Sequence, residues 1–135
     1  MTVQITLIYA GAIAVLMAVL STMTALKRGE TGIALGDGDN ATMALAVRRF
    51  GNLSEYAAMA IVLLLLMELA GISPFWLHAY GISFLVVRLL HPFILFGEMD
   101  APRLKKIGRF VSGAGTAALL LTGGITLCAA VLFSA

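Results

Sequence analysis

Apolar residues fill this chain in four long blocks, separated by short breaks that are polar or rich in glycine. The first 26 residues contain no charged side chain, and none follows Arg109. A helix needs about 20 mostly apolar residues to cross the hydrocarbon core of a bilayer. The pattern predicts spanning helices over residues 3–26, 45–70, 75–97 and 108–133 of a single domain, 1–135. No basic residue precedes the first block and no small-residue cleavage site ends it, which predicts a retained helix and not a signal peptide. Gly71 and Pro74 mark a turn between the second and third spans, and Trp76 suits the headgroup level just beyond. The first connection, residues 28–40, mixes Gly29, Gly32, Gly36 and Gly38 with Glu30, Asp37 and Asp39, the composition of a polar, mobile loop.

Composition agrees. Hydrophobic residues make up 61% of the chain and charged ones 12%, against roughly 25% charged in soluble domains. A soluble fold of this length has too little interior for that much apolar surface, so the expectation is an all-α, multi-pass integral membrane four-helix bundle. A net charge of +2 without a groove-tracking basic stripe excludes a nucleic-acid partner. The basic residues act instead as topology signals. Lys27, Arg28, Arg48 and Arg49 surround the first connection, Arg103, Lys105, Lys106 and Arg109 the third, and none lies in the second. Loops one and three are therefore expected on the cytoplasmic side, with both termini opposite. Of nine basic residues only Arg88 breaks the rule, because it lies inside the third span.

Arg88 has company. The uninterrupted apolar run of the second span, residues 57–67, is too short to cross, so the helix must draw in the segment before it. At about 1.5 Å per residue, Asn52 then lies roughly 5 Å inside the membrane and Glu55 roughly 10 Å. Counting along the third span puts Arg88 at about 10 Å and His91 at about 6 Å. Arg48, Asn52 and Glu55 follow i, i+4, i+7 spacing and share a helix face, with Tyr56 beside them. A charge at the centre of a membrane helix costs at least about 2.5–3.5 kcal/mol, so each should turn inward and find a partner. The expected pair is Glu55 with Arg88. Such a pair is often simple interhelical glue. Six polar groups around one pocket favour a binding site: arginines for carboxylates, Asn52 for an amide, Glu55 for an ammonium. The guest this mixture suits is a small zwitterionic or peptide-like anion entering from the cytoplasm.

The segment from Arg48 to Tyr56, R-x-F-x-N-x-x-E-Y, resembles the MAPEG superfamily, the membrane-associated proteins in eicosanoid and glutathione metabolism, and is most similar to its bacterial branch. Leu35-Gly36-Asp37-Gly38 and Arg88-Leu89-Leu90-His91 fit the same pattern. The resemblance implies a homotrimer in an inner membrane that binds glutathione as co-substrate between subunits and acts on a lipophilic small molecule as a transferase or peroxidase. It assigns glutathione binding to Arg48, Asn52, Glu55, Tyr56, Arg88 and His91. It places the catalytic, thiolate-stabilising arginine at Arg103, with Lys105, Lys106 and Arg109 as alternatives. The chain departs from the pattern at Ala57 and Ala58, where a proline is frequent, at Phe50, and near Leu95, where a tyrosine is common.

Two other readings compete: a catalytically silent binding or scaffold protein of this fold, and a small four-helix transporter. Transporters of this size carry an acid in the first helix, and residues 1–26 offer none. The remaining chemistry reads as structural. Cys128 stands in an apolar block with no redox role expected. His78 and Glu68 fall near the far interface and are expected at the surface. Gly11, Gly113, Gly115 and Ala117 are expected at close helix contacts. The methionines lack ligand-like spacing, and two histidines at different depths predict no metal site. The Arg103–Arg109 stretch also suits contact with membrane lipids.

Overall fold

A computed structural model describes residues 3–95 and 102–133, together with every side chain in those segments except that of Lys105. It contains four helices, α1 (Gln4–Thr31), α2 (Ala41–Leu69), α3 (Pro74–Ile94) and α4 (Arg103–Leu132), and no strand among the described residues. All four are long and apolar enough to cross a membrane. The C-terminal limit expected for the third span, residue 97, lies outside the described residues.

The helices outrun the apolar blocks because the chain keeps coiling until a residue stops it. α1 continues past Leu26 to Gly32, whose φ of 69° ends the helix in the left-handed region. Three more left-handed residues, Gly36, Gly38 and Asp39, curl the connection back. Arg28 ties it down by donating to the carbonyls of Ile33 (3.2 Å) and Gly36 (3.0 Å). Asn40 then caps α2, its side-chain oxygen accepting from the backbone N–H of Thr42 and Met43, both at 3.0 Å. At the other end Gly71, φ 75°, closes α2, and Pro74 opens α3 at a position where its missing N–H costs nothing.

α2 and α3 form the middle of the bundle. α1 packs against both from one side and α4 against both from the other, and α1 and α4 do not meet among the described residues. The C-terminal ends of α1 and α3 and the N-terminal ends of α2 and α4 therefore share one end, called the basic end below. The core falls into two tiers. Ile13, Leu20, Leu53, Ala57, Ala60 and Phe84 fill the tier toward the basic end, and Tyr9, Leu64, Met67, Leu77 and Tyr80 the tier toward the other. The basic-end tier lies directly under the polar residues of α2 and α3.

The close helix contacts fall elsewhere than expected. Gly11 and Gly113 face open space, and a Cβ on Gly115 would reach only ordinary contact with Val87. The tight positions are Gly81, where a Cβ would overlap the Tyr9 ring, and Gly123, where it would come within 3.2 Å of Tyr80. Both glycines make room for a tyrosine. A large polar ring needs more clearance than a leucine, which is why the glycine is required opposite it.

Candidate functional site

Two turns before its C-terminus, α3 turns Arg88 into the middle of the bundle, where the residue is 2% exposed. Its guanidinium is held from both sides. Nη1 donates to the Asn52 side-chain oxygen at 2.8 Å and to the Asn52 backbone carbonyl at 3.3 Å. Nη2 donates to the hydroxyl of Thr116 on α4, which in turn donates to the Ser112 carbonyl at 2.9 Å. The rings of Tyr56 and Phe84 lie 5.7 and 5.8 Å from its central carbon and offer their electron-rich faces. Arg88 thus binds three of the four helices together through neutral groups. No carboxylate pairs with it among the described residues, and its Nε is buried without a partner.

The expected Glu55–Arg88 pair is therefore corrected. Glu55 accepts from Arg48 at 3.2 Å across two turns of α2, and both side chains are more than half or half exposed on the protomer's outer face (59% and 50%). The physical reason lies in helix rotation. Tyr56, the neighbour of Glu55, does reach the Arg88 level, so the two charges share a height. One residue of a helix turns through about 100°, however, and that rotation carries Glu55 outward. Asn52, three residues earlier, points inward and takes the arginine.

A family model described as MAPEG family matches residues 6–129. The chain belongs to the MAPEG family. A curated relative, the inner membrane protein YecN of Escherichia coli K12, is 37% identical over 87 residues, a stretch covering 58% of this chain and 66% of the relative. YecN of Escherichia coli O6:H1 matches with the same identity and coverage. No solved structure matches the chain. The family, four spanning helices and an inner-membrane relative make this MAPEG protein a multi-pass integral membrane protein.

Of the residues singled out in its sequence, Asn52, Tyr56 and Arg88 come together directly. His91 lies one turn beyond Arg88, is 6% exposed, and stands within electrostatic reach of Arg88, Arg48 and Arg49. Arg48 and Glu55 form the outer wall. Arg103 is not brought to this group by the fold of the chain. It opens α4, exposed, 13 residues before Thr116, a separation of about 20 Å along the helix. Arg109 is nearer: with Ser112 and Thr116 it follows i, i+3, i+7 spacing, so it lies on the Arg88-facing side of α4.

Sequence reasoning missed Thr116 and Ser112, both buried beside the arginine. Its one available signal was the pair of hydroxyls at i, i+4 on the span that had to pack against α2 and α3. It also missed Arg49, whose guanidinium donates to the Leu95 carbonyl at 3.3 Å and ties α2 to the last turn of α3. That carbonyl belongs to the C-cap of α3, where the last carbonyls of a helix have no intrahelical donor.

The opposite end carries a second polar cluster that was expected at the surface. Glu68 accepts from the backbone N–H of Ile5 (2.9 Å) and Thr6 (2.7 Å), so the carboxylate of α2 caps the N-terminus of α1. His78 shares a 2.9 Å hydrogen bond between its Nδ1 and the buried Tyr9 hydroxyl. Neither residue is a free surface group. The α1 N-terminus supplies unpaired N–H donors at that membrane level, and a carboxylate on the adjacent helix is drawn to them.

Proposed function

We propose that this protein is a glutathione-dependent transferase or peroxidase acting on lipophilic electrophiles, with loops one and three in the cytoplasm. The observation that carries the reading is Arg88: a guanidinium buried in a membrane protein, with neutral partners only and one N–H unused among the described residues. An unpaired buried charge costs several kcal/mol, and an anionic guest offsets that cost. Beside it, Arg48 and Glu55 present one positive and one negative group on the outer face. Glutathione carries carboxylates, an ammonium and amides, the groups these side chains recognise. Because the Arg48–Glu55 wall faces out of the protomer, the cup closes when a neighbouring copy covers it, which fits the homotrimer the family resemblance implies.

The chemistry needs a thiolate. A free thiol with a pKa near 8.5 is mostly protonated at neutral pH, and a fixed guanidinium favours the ionised form. In conjugation the thiolate sulfur bonds to an electrophilic carbon, the leaving group departs with its electron pair, and the thiol proton goes to water. In peroxide reduction two glutathione molecules are oxidised to the disulfide while one hydroperoxide becomes an alcohol and water. The electrophile enters sideways from lipid.

Arg103 is the catalytic residue on resemblance, and Arg109 is the one α4's geometry brings toward Arg88. The two assignments separate by experiment. Glutathione added to the purified protein produces thiolate ultraviolet absorbance, and conjugation of chlorodinitrobenzene follows. Loss of the absorbance in Arg103→Ala with retention in Arg109→Ala supports a neighbouring protomer's Arg103 as the stabiliser, and the reverse supports Arg109 acting within the protomer. Binding of glutathione with no thiolate signal and no turnover across electrophiles and hydroperoxides would replace the enzyme reading with the silent binding protein of the same fold.

A further inference from the structure

A cavity of about 410 Å³ opens between α3 and α4 in the half of the bundle away from the basic end. Trp76 stands at its mouth, Met67 and Leu119 form apolar walls, and Tyr80, Ser83 and Thr126 bring hydroxyls to its lining. From the α3 N-terminus, Tyr80 lies about 9 Å in and Ser83 about 14 Å in, while Thr126 lies about 9 Å from the end of α4. These three hydroxyls make no hydrogen bond among the described residues. That of Tyr80 is fully buried, in a residue 7% exposed. In hydrocarbon no water offsets an unmade hydrogen bond, so three idle donors lining one cavity call for an acceptor supplied from outside the chain. No charged side chain lines the space, which disfavours an ionic guest. Its volume lies within the range of ligand pockets, about 300–1,000 Å³.

We propose that this cavity is a second ligand site, separate from the arginine cup, for an uncharged single-chain lipophile bearing a carbonyl oxygen. The chain lies along Met67 and Leu119 and the carbonyl accepts from Tyr80, with Ser83 and Thr126 within the same lining. Gly123 sets the geometry: a Cβ there would come within 3.3 Å of the Tyr80 hydroxyl, so the glycine lets that ring sit close against α4. The site requires neither glutathione nor catalysis and stands or falls apart from them.

Trp76 is the chain's one tryptophan, so its fluorescence reports on the mouth of this cavity alone. The protein is placed in vesicles of diether phosphatidylcholine, whose chains lack carbonyls, and quenched with nitroxide-labelled methyl stearate. Unlabelled methyl oleate, octadecane and oleate then compete. Methyl oleate is expected to relieve quenching at a mole fraction at least about fivefold below that of octadecane, with oleate weaker than the ester. In Tyr80→Phe, which deletes an unpartnered hydroxyl and keeps the ring, the ester's advantage is expected to vanish. In Ala79→Phe, which fills the cavity, competitor-sensitive quenching is expected to be lost at unchanged helix content by circular dichroism. Equal competition by ester and hydrocarbon in the unaltered protein would overturn the proposal, as would quenching that no competitor relieves. An ester advantage that persists in Tyr80→Phe, or competitor-sensitive quenching that persists in Ala79→Phe, would do the same.

Discussion

Both ends of this bundle hold ionisable side chains within spanning helices, and they treat them in opposite ways. At the end away from the basic loops, Glu68, Tyr9 and His78 are consumed by the fold. Glu68 satisfies two N–H groups that the start of α1 leaves open, and Tyr9 and His78 satisfy each other. Removing any of them leaves a partner stranded, which is the signature of structural polarity. At the basic end, Arg88 is held firmly through Asn52 and Thr116, yet among the described residues its charge and one donor stay uncompensated. A bundle that only needed gluing could place a carboxylate there. The carboxylate at its level, Glu55, is turned outward to Arg48. The lesson is that polarity inside a membrane separates into fold and function by whether its bonding capacity is used up.

The comparison breaks most visibly at Gly81. Gly81→Leu drives a side chain into the Tyr9 ring and is expected to cost about 1–3 kcal/mol or to prevent folding. A thermal melt in detergent checks it, and an unchanged midpoint would mean the Tyr9–His78 contact is not built as described. Next comes Glu68→Ala, which uncaps α1 and is expected to lose about 1–2 kcal/mol while glutathione affinity stays the same. A fall in affinity as large as the fall in stability would erase the distinction between the two ends. The smallest effect on stability belongs to Arg48→Gln. Its ion pair is exposed on the outer face and is worth about 0–1 kcal/mol to the fold. The same substitution is expected to weaken glutathione binding by more than it shifts the melt, because the arginine is available to the guest.

Much of this architecture could be read from the order of residues, for physical reasons that also explain the errors. Bilayer thickness fixes helix length, so apolar blocks predicted four spans, and counting residues placed Glu55 and Arg88 at one level, where the neighbouring Tyr56 meets the arginine. Counting along an axis carries no information about rotation between helices, so it chose Glu55 over Asn52 as the arginine's partner. Thr116 and Ser112 stayed invisible because a hydroxyl in an apolar helix ordinarily bonds its own backbone, as Thr122 and Thr24 do. Glu68 and His78 were placed at the surface because depth alone ignores the open N–H groups of a neighbouring helix end. Gly81 was overlooked among many glycines; its signal was the run of aromatics, Tyr80 and Phe84, around it on α3.

Everything proposed for the basic end rests on a positive charge that no carboxylate among the described residues answers. Titration of glutathione into the detergent-purified protein by isothermal calorimetry tests it, with the unaltered chain beside Arg88→Met. Methionine replaces an uncompensated buried charge with an apolar side chain of similar reach, so the variant should fold. The account predicts saturable heat below millimolar glutathione in the unaltered protein and affinity at least about tenfold weaker in the variant, a loss of about 1.4 kcal/mol. Equal affinities in the two, or no heat from the unaltered protein at millimolar glutathione, would contradict it.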